Sequence, residues 1–142
     1  MELLILYFKT AAITAIIYLS LDHVWYRFVA KRLYFHHLAL MNDTEKGGIV
    51  YKKAPIIASR VIISFAVTAA VYLSILEGGR IAWSVSAGGI AGFALASSHN
   101  LTAQSFIRYW PRFITILDIA WGTLQGMLAG IYIFIITGYL AP

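Results

Sequence analysis

Two aspartates stand in stretches that are otherwise apolar enough for a lipid bilayer. The deeper is Asp118, in the run Leu117-Asp118-Ile119-Ala120-Trp121-Gly122, about two turns into a helix predicted from Arg112 to about Tyr139. An acid in hydrocarbon costs roughly 2.5–3.5 kcal/mol on insertion scales, so a partner or a task must hold it there. Such a carboxylate can carry a proton, bind a cationic group, or pair with a basic side chain. Other polar groups fall at the ends of the remaining apolar stretches: Asp22 and His23 in the first, Arg60 in the second, His99 and Asn100 in the third. Trp121 follows Asp118 by one turn.

The elements that position these groups are membrane helices. Of 142 residues, 61% are apolar and 12% are charged, and the mean hydropathy is +0.78. That is well above the roughly half-apolar composition of a soluble domain. Four segments reach the length of about 20 residues that a spanning helix needs: Leu3–Leu21, Ile56–Leu76, Ile81–Leu101 and Phe113–Ile136. The fold class is all-α, an integral membrane four-helix bundle with antiparallel neighbours, and residues 1–142 form a single transmembrane domain. The start, Met1-Glu2-Leu3-Leu4, lacks the basic residues and cleavage site of a signal peptide, so the first segment is read as a retained span.

Charge sets the orientation. The net charge of +5 comes from basic residues that flank the spans, which argues for membrane orientation rather than nucleic-acid binding. Arg27, Lys31, Arg32, Lys46, Lys52 and Lys53 stand against Asp43 and Glu45 in a loop of about 27–54, and Arg108 and Arg112 lie between the last two spans. The turn Glu77-Gly78-Gly79-Arg80 is short. Lys and Arg concentrate in cytoplasmic loops, which places the basic loops inside and both termini outside. Trp25, Tyr26, Tyr109 and Trp110 fall where an aromatic belt would lie. The stretch 31–41 either extends the first helix or lies on the surface, with breaks at Asn42-Asp43-Thr44 and Gly47-Gly48. Pro55 suits the start of the second span.

Residues four apart share a helix face. That spacing gives Thr10, Thr14, Tyr18 and Asp22 in the first span, and Arg60, Ser64, Thr68 and Tyr72 in the second. It gives Ser84, Gly88, Gly92, Ala96 and Asn100 in the third, and Asp118, Gly122, Gly126 and Gly130 in the fourth. Ridges of small residues let membrane helices approach closely, so spans three and four are expected to pack as an antiparallel pair. At about 1.5 Å per residue, Asp118 lies roughly 8–9 Å inside its helix, on the cytoplasmic side. Asp22, His23, Arg60, His99, Asn100, Asp118 and Trp121 thereby converge on one polar layer, an expected binding site.

Each member also has a plainer reading. Thr10, Thr14, Ser64 and Thr68 are expected to bond their own helix backbone. Asp22 and His23 lie near enough to the interface to be solvated, and Arg60 can extend to the headgroups. His36 and His37 are adjacent and lack the spaced ligands of a zinc site, so no metal is expected. With no cysteine in the chain, disulfides and thiolate sites are excluded. No cofactor is implied. A further pattern is an internal echo: Leu21-Asp22-x-x-Trp25 matches Leu117-Asp118-x-x-Trp121. Two-span halves of this kind build some transporters.

At these residues the chain resembles a bacterial family of small four-span membrane proteins, a domain of unknown function. The resemblance covers nearly the whole chain. It rests on Tyr7-x-x-Thr10, Leu21-Asp22-x-x-Trp25, Tyr34, Gly88 and Gly92, Asn100-Leu101-Thr102 leading to Trp110-Pro111, and Asp118-x-x-Trp121-Gly122-Thr123. Where the family usually carries Tyr-Asp-Leu-Thr-Asn, this chain has His99-Asn100-Leu101-Thr102-Ala103, an amide in place of a third carboxylate. The resemblance implies a multi-pass protein of the bacterial inner membrane and implies no activity.

Three classes of function fit the polar layer. The first is binding or transport of a small molecule or lipid headgroup; transport through only four spans would need a homo-oligomer. The second is an enzyme acting on lipid, with His99 or His23 beside a carboxylate as an acid–base pair. Neither a nucleophile elbow nor a phosphate loop nor a histidine box is present in the sequence to support it. The third is a structural or assembly subunit, whose polar groups bond helices at about 0.6 kcal/mol each. The lipid bilayer is the partner common to all three.

Overall fold

The computed structural model describes residues 1–38 and 53–140. α1 (Glu2–Val24) runs on through a π-helical turn (Trp25–Val29) and is followed by the short α2 (Lys31–His37). α3 (Lys53–Leu76), α4 (Ile81–Phe106) and α5 (Arg112–Leu140) complete an all-helical fold, with no strand among the described residues. Four helices, 2–29, 53–76, 81–106 and 112–140, are long and apolar enough to cross a membrane. The expected breaks at Asn42-Asp43-Thr44 and Gly47-Gly48, and the charges of Asp43, Glu45, Lys46 and Lys52, lie outside the described residues.

The helices outrun the apolar cores read from sequence because their polar ends still favour helix. α4 continues five residues past Leu101 and stops at Ile107, which is extended (φ −100°, ψ 111°). Pro111 then precedes the first residue of α5, where its missing N–H costs nothing. α3 and α4 meet in a tight turn at Gly78, whose φ of 75° lies in the left-handed region open to glycine. There the Gly79 N–H donates to the Ser74 carbonyl at 3.0 Å, and the Ser74 and Ser84 hydroxyls lie 3.3 Å apart.

Around the bundle the order is α1, α3, α4, α5, with α1 and α4 at opposite corners. Neighbours run antiparallel. One end therefore gathers Arg27, Lys31, Arg32, Lys53, Arg108 and Arg112, and we call it the basic end. Tyr18, Val67, Val71, Ala129 and Ile133 form the apolar core between α1, α3 and α5. A second cluster, Ala30, Tyr34 and Ile114, packs α2 over the start of α5 with help from Trp25, Tyr26 and Trp110.

The four-residue polar ridges all turn inward: Thr10, Thr14, Tyr18, Asp22, Ser64, Thr68, Tyr72, Ser84 and Asn100 are buried. The local backbone bond expected of four of them is made at Ser64 alone, which donates to the Val61 carbonyl at 2.8 Å. The hydroxyls of Thr10 and Thr68 are buried with no hydrogen-bond partner among the described residues, and that of Thr14 is buried beside Tyr132.

The closest packing is between α4 and α5, and glycine permits it. Gly88 lies against Gly126, Gly92 against Gly122, and Ser84 against Gly130, an antiparallel register that advances four residues at a time. A Cβ on Gly126 would run into the Gly88 carbonyl oxygen, and one on Gly88 into that of Gly126. Backbone cannot yield as a side-chain tip can. Gly126→Ala should therefore cost about 1–3 kcal/mol or more, as overpacked sites do. Gly138→Ala, in the same helix but with nothing within 4 Å of the added carbon, should leave stability unchanged or raise it by up to about 1 kcal/mol. Thermal midpoints of the two variants in one mild detergent test the contrast.

Candidate functional site

Asp22 gathers partners from more than one helix. It is 4% exposed and is reached from two other helices. Its Oδ1 accepts from Trp121 Nε1 and from Gln125 Nε2, each at 3.0 Å, and its Oδ2 pairs with Arg60 Nε. Trp121 and Gln125 are four residues apart on α5, so one helix face presents both donors. Arg60 also donates to the Tyr26 hydroxyl at 3.4 Å. Charge-assisted bonds of this kind are about twice as strong as neutral ones, and here they tie α1, α3 and α5 together.

This reverses two expectations. Asp22 is not solvated at an interface, because α1 and its π-helical turn continue to Val29 and carry the carboxylate about 10 Å inside the helix end. Trp25 and Tyr26 do not form a belt either. The π-helical turn, closed by the Ala30 N–H on the Trp25 carbonyl at 2.8 Å, turns both rings inward. Trp25 stacks on Trp121 at 4.2 Å with the planes 6° apart, and Tyr26 meets Tyr34 edge-on at 5.2 Å. Of the other belt residues, Tyr109 is exposed, and Trp110 donates to the Thr115 hydroxyl at 3.1 Å.

The two halves of the internal echo meet at this point. Trp25 of one motif stacks on Trp121 of the other, and Trp121 donates to Asp22. The reciprocal bond, Trp25 to Asp118, is not made. Trp25 Nε1 and Asp118 Oδ1 are each buried with no hydrogen-bond partner among the described residues. The echo is symmetric in sequence and asymmetric in its bonding.

Asp118 instead lines a cavity of about 340 Å³ at the basic end of the bundle. Arg60, Trp121 and Gln125 form part of the same wall, so Asp22 lies behind the lining and its partners face the space. Asn100 also lines it. It is 2% exposed, its Nδ2 donates to the Ala96 carbonyl at 3.0 Å, and its Oδ1 is buried without a partner. His99 lines the cavity from an exposed position, whereas His23 is exposed and outside the lining. Thus Arg60, His99, Asn100, Asp118 and Trp121 are brought around one space, Asp22 sits behind it, and His23 stands apart. Among the described residues no group of three His, Asp or Glu is placed to hold a metal.

Sequence reasoning missed Gln125, which is 1% exposed and touches both Asp22 and the cavity. Its signal was available: it lies seven residues after Asp118, on the same face, amid apolar neighbours. Tyr26 was missed because the π-helical turn that rotates it inward leaves no mark in the residue pattern.

Residues 6–135 match the family described as "Predicted membrane protein (DUF2177)". The chain belongs to this family. No curated protein and no solved structure matches it. The matched range takes in both Asp-x-x-Trp motifs, α3 and α4 whole, and all but the outer ends of α1 and α5, so the Asp22 junction and the cavity lining lie inside the DUF2177 region. Membership establishes a membrane protein and assigns no activity.

The Asp22–Arg60 pair can be tested by its energetics. Breaking a buried pair from one side typically costs about 3–5 kcal/mol, because a charge is left alone. Asp22→Asn and Arg60→Met should each lower the thermal midpoint sharply, and the double variant should recover part of the loss. A double-mutant cycle in detergent measures the coupling.

Proposed function

We propose that this protein binds a small molecule or lipid headgroup in the cavity at its basic end, with Asp118 as the residue that holds it. In this reading the basic end faces the cytoplasm of a bacterial cell, the termini face outward, and the protein sits in the inner membrane. The observation that carries the reading is the contrast between the two aspartates. Asp22 has Oδ1 bonded by Trp121 and Gln125 and Oδ2 in an ion pair with Arg60. Asp118 stands on the cavity wall with Oδ1 unpartnered among the described residues. A carboxylate held in an apolar span without a protein partner is a functional group by default.

A purely structural role accounts for Asp22 but leaves Asp118 unexplained. An acid–base role on lipid has less support, since His99 is exposed at the edge of the cavity. Transport would add a second copy of the chain.

The test is mass spectrometry of molecules that co-purify in a lipid-preserving preparation, wild type beside Asp118→Asn, with thermal midpoints confirming that both are folded. A molecule retained by the wild type and absent from the variant is the expected result. Bulk lipid alone on both proteins would leave the structural reading in its place.

A further inference from the structure

The lining of the cavity narrows the class of ligand. Tyr18, Tyr26 and Trp121 contribute aromatic rings, and Asp118 contributes a carboxylate. Arg60 is the cation of the lining and is already paired with Asp22. The wall therefore carries an acid with no ion-pair partner among the described residues, and the same lining holds three aromatic side chains and the imidazole of the exposed His99. Rings attract a cation through their electron-rich faces, and aromatic walls beside an acid are the usual surroundings of a bound ammonium group. An anionic ligand would meet Asp118 unfavourably.

The exposed part of the lining indicates where the ligand comes from. Its exposed members are Ser59 on α3 and Ser98 and His99 on α4, whereas the lining of α1 and α5 is buried or half-buried. α3 and α4 are neighbours on the perimeter of the bundle, joined at the far end by the Gly78 turn and the Ser74–Ser84 contact. Ser98 and His99 lie eight and seven residues from the end of α4, about 10–12 Å along the helix. The exposed part of the lining thus lies on the side of the bundle shared by the two spanning helices α3 and α4.

We infer that the cavity takes the ammonium headgroup of a membrane lipid, which enters from the leaflet between α3 and α4 and places its charged nitrogen against Asp118 within the ring of Tyr18, Tyr26 and Trp121. The inference rests on the Asp118 reading above and adds the chemistry of the ligand and its route.

The experiment compares two lipids with the same acyl chains, phosphatidylethanolamine and phosphatidylglycerol, titrated onto the delipidated protein and read by native mass spectrometry. Soluble phosphoethanolamine is a third probe. Preference for the amine lipid should be about tenfold or more, the size expected for a desolvated cation among aromatic rings. It should vanish in Asp118→Asn. Because the chain has no cysteine, Ser98→Cys offers one attachment point for a bulky maleimide, added after purification to folded protein. Labelling should abolish whatever preference the same variant shows before the maleimide is added. Equal retention of both lipids by wild type overturns the ammonium assignment, while an Asp118-dependent molecule in the co-purification would still uphold the site. Phosphoethanolamine that binds as tightly as the lipid, or a preference that survives the label, overturns entry from the leaflet. If nothing bound depends on Asp118, the inference and the reading beneath it fall together.

Discussion

The carboxylate of Asp22 is the junction on which the basic end of this bundle depends. A single side chain on α1 collects a guanidinium from α3 and two N–H donors from α5. Between apolar helices in lipid there is little hydrophobic preference for one rotation over another, so polar contacts and close fit decide the arrangement. Here the polar contact fixes which faces of α1, α3 and α5 turn inward. The stacked Trp25 and Trp121 then set the spacing of α1 and α5 beside it.

A different rule governs α4. It takes no part in the Asp22 junction and is held by glycine-to-glycine backbone contact with α5. The two modes divide the basic end into a polar side, tied through a carboxylate, and a close-packed side, tied through bare backbone. The cavity lies where they meet, and its lining includes Arg60, Trp121 and Gln125 of the polar side and Asn100 and Ala96 of α4.

Much of this was legible in the residues. Length and hydropathy suffice for four spans, since a bilayer imposes helix on any apolar segment of that length. Four-residue spacing picked out the inward ridges and the α4–α5 contact, because a helix repeats its faces at nearly that interval. The relative standing of Asp22 and Asp118 was not legible. The donors that satisfy Asp22 are 99 and 103 residues away in the chain, and only the folded bundle brings them near. The inward turn of Trp25 and Tyr26 depends on one wide helical turn that no residue type announces. Composition therefore reveals that an acid needs a partner, and the fold decides which acid receives one.

The spread of the Asp22 partners along the chain bears on biogenesis. Asp22 is synthesised first, Arg60 next, and Trp121 and Gln125 last. When α1 and α3 have entered the membrane, the carboxylate has its counter-charge but not its two N–H donors. Those arrive only with α5, the same helix whose glycines clasp α4. α5, which leaves the ribosome after the other three long helices, thus completes both fastenings at once, and a chain cut short before it would hold a half-coordinated acid in the bilayer, a ready mark for membrane quality control.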